Sequence, residues 1–197
     1  MPTIVVPFRG ATGKQRLGPL PDGARAVLTL AMLADVLAAC TVVGETYVVT
    51  GDEDGARVAR EFEARVSGDP GGGQGAAVAA ALGGLRDRRT LVVNADLPCA
   101  TPADVRALDS AAPDNGIAYV AARDGTTNAL GLSSPSLFAP LYGERSAERF
   151  QAHAERLGVT AVAAKIPNLA DDVDSLEDLE RLELRLGPRT LSTHAVR

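Results

Sequence analysis

Short apolar runs alternate with amphipathic stretches along most of this chain, and that alternation is the strongest constraint on its fold. Thr3-Ile4-Val5-Val6-Pro7, Thr46-Tyr47-Val48-Val49-Thr50 and Thr90-Leu91-Val92-Val93-Asn94-Ala95 read as strands apolar on both faces. Strands of that kind belong to a mostly parallel sheet covered by helices on each side. Between the first two, residues 24–39 carry apolar side chains at Val27, Leu28, Leu30, Ala31, Leu33 and Leu37, the spacing of a core-facing helix. Residues 54–65 and 74–85 are further helices, and Arg65-Val66-Ser67 reads as a short strand. The expected class is α/β, a mostly parallel mixed sheet flanked by helices in one Rossmann-like domain.

The second half continues the pattern. Thr101 and Pro102 form an N-cap and a first helical residue. Residues 116–122, 129–132 and 159–165 read as strands, and Ser146 as the cap of a helix reaching Leu157. Ser175-Leu176-Glu177-Asp178 is a capping box opening a helix over 176–186. Residues 1–186 are expected to form the domain and 187–197 a loosely held, flexible tail.

With 197 residues the chain suits one domain with a sizeable core. A net charge of -5 argues against a nucleic-acid surface, which needs clustered basic residues. No apolar stretch is expected to approach a membrane span. Two cysteines, Cys40 and Cys99, supply no disulfide framework, and with no secretory signal the expected compartment is the reducing cytoplasm. His153 and His194 lie too far apart in pattern to suggest a metal cluster or a catalytic triad.

Chemistry concentrates in the loops. Asp96, in Asp96-Leu97-Pro98, ends an apolar strand at the sheet edge where ligands bind in open α/β folds. Asp172 and Asp174, two apart in an extended segment, point the same way. The three carboxylates together suit a hard divalent cation such as Mg2+ shared with a substrate phosphate, although acids before a helix also serve its dipole. Arg9, Lys14 and Arg16 sit in a glycine-flanked loop fit for phosphate or for a solvated basic turn. It is not a Walker A loop, because Phe8 and Gln15 occupy the positions of its first glycine and its Ser/Thr. Asp69-Pro70-Gly71-Gly72-Gly73, with Gly75, is either a backbone surface for a nucleotide or a flexible connector. Residues 124–130 hold Thr127 and Asn128, equally suited to gripping an anion and to closing a turn.

Taken in order, Lys14-Gln15-Arg16-Leu17, Asp69-Pro70-Gly71-Gly72-Gly73, Asp96-Leu97-Pro98, Asp124-Gly125-Thr126-Thr127-Asn128-Ala129-Leu130 and Asp172-Val173-Asp174-Ser175-Leu176-Glu177-Asp178-Leu179 resemble the guanylyltransferases of coenzyme F(420) biosynthesis. That family acts on phosphoenolpyruvate or 2-phospho-L-lactate, and the resemblance spans residues 3–186. It implies a nucleotide-diphospho-sugar transferase-like fold and transfer of GMP from GTP to a small phospho-acid, with pyrophosphate released. It also implies that Asp96, Asp172 and Asp174 bind Mg2+, with Lys14, Asp96 and Asp174 acting in catalysis. Arg9, Lys14, Arg16, Gly71, Gly72, Gly73 and Gly75 would meet the nucleotide. Thr127, Gly143 and Ser146 would hold the phospho-acid. Three departures stand out: Glu144 and Arg145 replace the family's Pro-Gly, Gln74-Gly75 replaces Leu-Asn, and the lysine ending the first strand is missing at Phe8 and Arg9. They leave open another phosphorylated acceptor, or a catalytically silent nucleotide-binding module. A homodimer is compatible with the fold.

Overall fold

β6 (Thr127–Leu132) runs against its neighbours, and that reversal decides which loops meet. In this computed structural model, which describes residues 1–10, 17, 20–85 and 88–195, seven strands form one sheet in the order β3-β2-β1-β4-β6-β5-β7. β1 (Thr3–Pro7), β2 (Glu45–Val49), β3 (Arg65–Ser67) and β4 (Thr90–Val93) are parallel. β5 (Gly116–Ala121) and β7 (Thr160–Ala163) are parallel to each other, and β6 lies antiparallel between β4 and β5. The N-terminal end of β6 therefore shares an edge with the C-terminal ends of β1, β2 and β4. Thr127 and Asn128, expected in a loop, are the first two residues of this strand.

Period-two alternation builds a core on each face of the sheet. Ile4, Val6, Leu91, Val93 and Val120 face one cluster, together with α1 (Asp22–Cys40), α2 (Glu53–Glu61) and α4 (Pro102–Ala111). Val5, Val92, Tyr119, Leu130 and Leu132 face the other, with α3 (Gln74–Gly83) and α5 (Ser146–Leu157). A third cluster joins Leu28 and Met32 of α1 to Val173 and to Leu179 and Leu182 of α7 (Leu176–Leu182). A short α6 (Pro167–Ala170) leads into that segment.

Several boundaries differ from expectation. The helix over 54–65 stops at Glu61, so that Arg65–Ser67 can pair with β2. Ser146 is not a cap: Arg145 holds the N-cap position of α5 in a left-handed conformation, φ 52°, and Ser146 is the first helical residue. The helix from Leu176 ends at Leu182 and tightens into a 3-10 turn, Glu183–Arg185. Contrary to expectation, α1 is long and apolar enough to cross a membrane by length and composition. Its apolar side chains take part in two of the core clusters above, and it carries the buried Asp35.

Asp35 also overturns the expected loose tail, because residues Pro188–Ala195 form α8, docked on α1. The Asp35 carboxylate accepts N–H groups from Arg189 at 3.2 Å and Thr190 at 2.8 Å, supplying an N-terminal cap from a distant helix. Gly187 donates its N–H to Pro98 O at 2.8 Å, and a Cβ there would stand 2.3 Å from Asp35 Cγ. Arg189 adds a guanidinium 4.7 Å from the Phe62 ring centroid. Replacing Asp35 by alanine removes the acceptor for both N–H groups. Asp35→Ala should cost about 1–3 kcal/mol, read as a lower midpoint in urea or thermal unfolding.

Candidate active site

The site grows from the end of β4. Two residues past Asn94 the chain places Asp96, whose carbonyl accepts the N–H of Val173 at 3.0 Å. That one backbone bond lays the extended 171–174 segment beside the strand end. The carboxylates of Asp96, Asp172 and Asp174 then each offer an oxygen within 4.8 Å of the others. The pair expected to share a direction does so, and Asp171 turns the opposite way to ion-pair with Arg181 at 2.8 Å and Arg185 at 2.5 Å. Burial pushes the Asp171 carboxyl up, but Arg185 and Arg181 outweigh it and hold the group below the usual carboxylate range.

Each acid is braced by a neighbour. Asn128 Nδ2 donates to Asp172 Oδ1 at 3.3 Å. The N–H of Asp174 donates to Asp178 Oδ2 at 3.2 Å, and Ser175 and Asp178 complete the expected capping box of α7. Burial, followed by the negative charge of Asp96 and then Asp174, raises the Asp172 carboxyl to about 6, with Asn128 opposing the rise. Burial beside like charges produces such a shift. Three carboxylate oxygens and no nitrogen or sulfur donor fit a hard divalent cation, which binds oxygen and favours the ionised acids.

One cavity borders this cluster, and a second shares Arg9 and Gln74 with the first. The first, about 350 Å³, reaches Asp96 and Asp174 and is walled by Phe8, Arg9, Gln74 and Asn94. The second, about 550 Å³, runs from Gly72, Gly73 and Gly75 across to Tyr142 and Gly143, again touching Arg9. Thus the glycine turn expected to meet a nucleotide faces the loop expected to meet a phospho-acid. Gly71, Gly72 and Gly73 hold φ of 81°, 85° and 92°, a run that only glycine adopts without strain, and Asp69 accepts the Gly71 N–H at 2.8 Å. Gly75 has a packing role besides: a Cβ there would sit 2.8 Å from Pro140 Cβ. Lys14 and Arg16 lie outside the described residues.

Thr127 and Ser146 meet directly, Ser146 Oγ donating to Thr127 Oγ1 at 3.0 Å, and both are buried. Gly143, φ 107°, receives the Ser146 N–H on its carbonyl. Glu144 and Arg145 are exposed, and the Arg145 guanidinium pairs with Glu148. Sequence reasoning missed Arg149, whose Nη2 donates to the carbonyls of Tyr142 and Glu144, each at 2.9 Å, and so braces the Gly143 loop. It also missed Asn94 and Asn128 as supports, because a polar residue at a strand end carries no signal of what lies opposite.

The Asp172 shift makes a stability prediction with a definite sign. With a folded pKa of about 6 against 3.8 unfolded, the metal-free native state binds more protons between those values. Its stability therefore falls as pH rises from about 4 to about 6 and stays reduced above that window. Asp172→Asn, which keeps an oxygen for Asn128, should melt higher than wild type in EDTA at pH 8, by roughly 2–4 °C for each kcal/mol relieved. The gap should close toward pH 4, and MgCl2 should raise the melting temperature of wild type but not of the variant.

Comparison with known proteins places this geometry. Residues 23–169 match the family model of the MobA-like NTP transferase domain. A phosphoenolpyruvate guanylyltransferase of Conexibacter woesei is 35% identical over 92% of this chain and 86% of the relative. The Rubrobacter xylanophilus protein of the same name is 38% identical, covering 93% and 94%. Among solved structures, a nucleotidyl transferase from Methanothermobacter has a TM-score of 0.69 at 19% identity, covering 98% of this chain and 99% of that one. 4-Diphosphocytidyl-2C-methyl-D-erythritol synthase has a TM-score of 0.61 at 17% identity, covering 92% and 96%. Likeness at that identity bears on the fold, and it bears out the nucleotide-diphospho-sugar transferase-like sheet. By its matched domain and its relatives, the chain belongs to the phosphoenolpyruvate guanylyltransferase family, a branch of the MobA-like NTP transferases.

Proposed function

We propose that this protein transfers GMP from GTP to phosphoenolpyruvate, releasing pyrophosphate, in the biosynthesis of coenzyme F(420). The observation that carries the reading is the convergence of Asp96, Asp172 and Asp174 beside a cavity that shares Arg9 and Gln74 with a second one. The names of the relatives supply the acceptor. 2-Phospho-L-lactate presents the same phosphate and carboxylate and is the alternative acceptor.

In the reaction a phosphate oxygen of the acceptor attacks the α-phosphorus of GTP in line. A P–O bond forms there as the bond from the α-phosphorus to its β-bridging oxygen breaks, and pyrophosphate leaves with that electron pair. Neither substrate gives up a proton, so the protein's work is to hold two anions together and to neutralise charge. Mg2+ bound by Asp96, Asp172 and Asp174 would supply the Lewis-acid share of that neutralisation. Arg9 borders both cavities and, with Lys14 and Arg16, would offset charge on the leaving pyrophosphate.

Gly72, Gly73 and Gly75 present a backbone surface to the nucleotide, with Gly71 shaping the turn before it. On the acceptor side, the Gly143 loop and the Thr127–Ser146 hydroxyl pair would hold the phospho-acid. Because those two hydroxyls already bond each other, they offer one remaining donor between them, and Arg149 keeps the loop carbonyls occupied. We read residues 1–195 as one catalytic unit, α8 included. Cytoplasmic residence is supported by two buried free cysteines, Cys40 and Cys99, whose thiols burial pushes up to about 12 and about 11.

The test is pyrophosphate release from GTP with phosphoenolpyruvate or 2-phospho-L-lactate, with the guanylylated product identified by mass spectrometry. Asp96→Asn and Asp174→Asn should each lower kcat by roughly 10²–10³-fold, the scale for losing one charge-stabilising group. Wild-type rates in both variants would remove the metal assignment. Absence of any guanylylated product from wild type would remove the function.

A further inference from the structure

Gln74 and Asn94 lie outside the acids and the expected acceptor contacts, yet they tie the two halves of the site together. Gln74 is the first residue of α3 and borders both cavities. Its Nε2 donates to Asn94 Oδ1 at 2.6 Å. Asn94 Nδ2 in turn donates to Thr127 O at 3.3 Å, and the Asn94 N–H donates to Asn128 O at 3.0 Å. From there the Thr127 hydroxyl meets Ser146, and the Asn128 amide meets Asp172. One chain of hydrogen bonds thus runs from the glycine turn to the acceptor hydroxyls and to a metal acid.

The direction of these bonds is fixed by chemistry. Thr127 O is a carbonyl and only accepts, so Asn94 must turn its NH₂ toward it. That leaves Asn94 Oδ1 for Gln74, and Gln74 must donate. The tie also falls where the backbone has least constraint of its own. Three consecutive residues of positive φ precede α3, and its N-cap Gly73 has no side chain to bond the helix start. The Gly75–Pro140 contact fixes α3 against the acceptor side by packing, but without directionality.

We propose that Gln74 and Asn94 are positioning residues that set the spacing between the bound nucleotide and the phospho-acid, so that the α-phosphorus lies in line with the attacking oxygen. The pair acts on alignment rather than on the grip of either substrate. Its loss therefore falls on kcat, because a displacement of about 1 Å at the reacting atoms costs on the order of 10²-fold. Gln74→Glu is close to isosteric but, ionised, presents an acceptor to the acceptor Asn94 Oδ1, whereas Gln74→Leu simply removes the donor.

The inference rests on the guanylyl-transfer reading, which wild-type turnover in the same assay tests by itself. In both Gln74 variants kcat should fall roughly 10–100-fold. KM for GTP, KM for phosphoenolpyruvate and the calorimetric Kd for GTP should stay within about three-fold of wild type, and the melting temperature should be unchanged. Asn94→Leu, which removes the bonds to both Gln74 and Thr127 O, should lose at least as much kcat, and adding Gln74→Leu should add little, since Gln74 acts through its bond to Asn94. A kcat within about three-fold of wild type in both Gln74 variants would overturn the proposal. So would a loss that appears in KM for GTP alone, or one that tracks a lowered melting temperature.

Discussion

Three carboxylates with oxygens within 4.8 Å of each other are the constraint around which this molecule is arranged. Burial first, and then the charges of Asp96 and Asp174, raise the Asp172 carboxyl. The cluster persists because each acid is fixed by something else: Val173 on the Asp96 carbonyl, Asn128 on Asp172, and Asp178 on the backbone of Asp174. Asp171 is drawn off by two arginines, which keeps a fourth negative charge away from the cluster. Packing and hydrogen bonding keep the acids together, and their oxygen-only donor set suits a hard divalent cation.

The strand order supplies the supports. With β6 antiparallel beside β4, Val93 pairs with Ala129, and the next residues outward, Asn94 and Asn128, stand at the same edge as Asp96. Parallel β6 would have sent Thr127 and Asn128 to the opposite edge. The C-terminal segment then closes over the β4 end from the other side, bonded to Asp96 O by Val173 and to Pro98 O by Gly187. Beneath it, Asp35 holds α8 on α1. Val173 and Gly187 thus both bear on the short loop after β4, while Asn94 and Asn128 support the sheet edge beside it and Arg149 supports the Gly143 loop.

Much of this was legible in the residues. The apolar runs of β1, β2 and β4 announced a buried parallel sheet, and the Thr101 N-cap with Pro102 and the capping box at Ser175 announced two helix starts. The acids were legible too, because a carboxylate after an apolar strand and a pair spaced by two each have a local geometric meaning. The Arg145 cap was not legible, since a left-handed arginine looks in sequence like any loop residue. Nor was α8, which takes its cap from Asp35 far away in the chain. Asn94 was invisible because its role is a pairing across the sheet, and Asn128, legible as a group able to hold an anion, gave no sign that the anion would be Asp172.

By itself, the sequence determined many of the local facts: the buried strands β1, β2 and β4, the helix starts after Thr101 and Ser175, and which residues carry charge at strand ends. These follow from side-chain periodicity and from hydrogen bonds that span only a few residues. Only the tertiary structure decided that Asp96 meets Asp172 and Asp174, that Thr127 meets Ser146, and that the glycine turn faces the Gly143 loop. Those meetings depend on strand order and on the direction of β6, which no local pattern encodes. They also depend on single long-range hydrogen bonds, such as Val173 to Asp96, whose partners are chosen by the whole packed core.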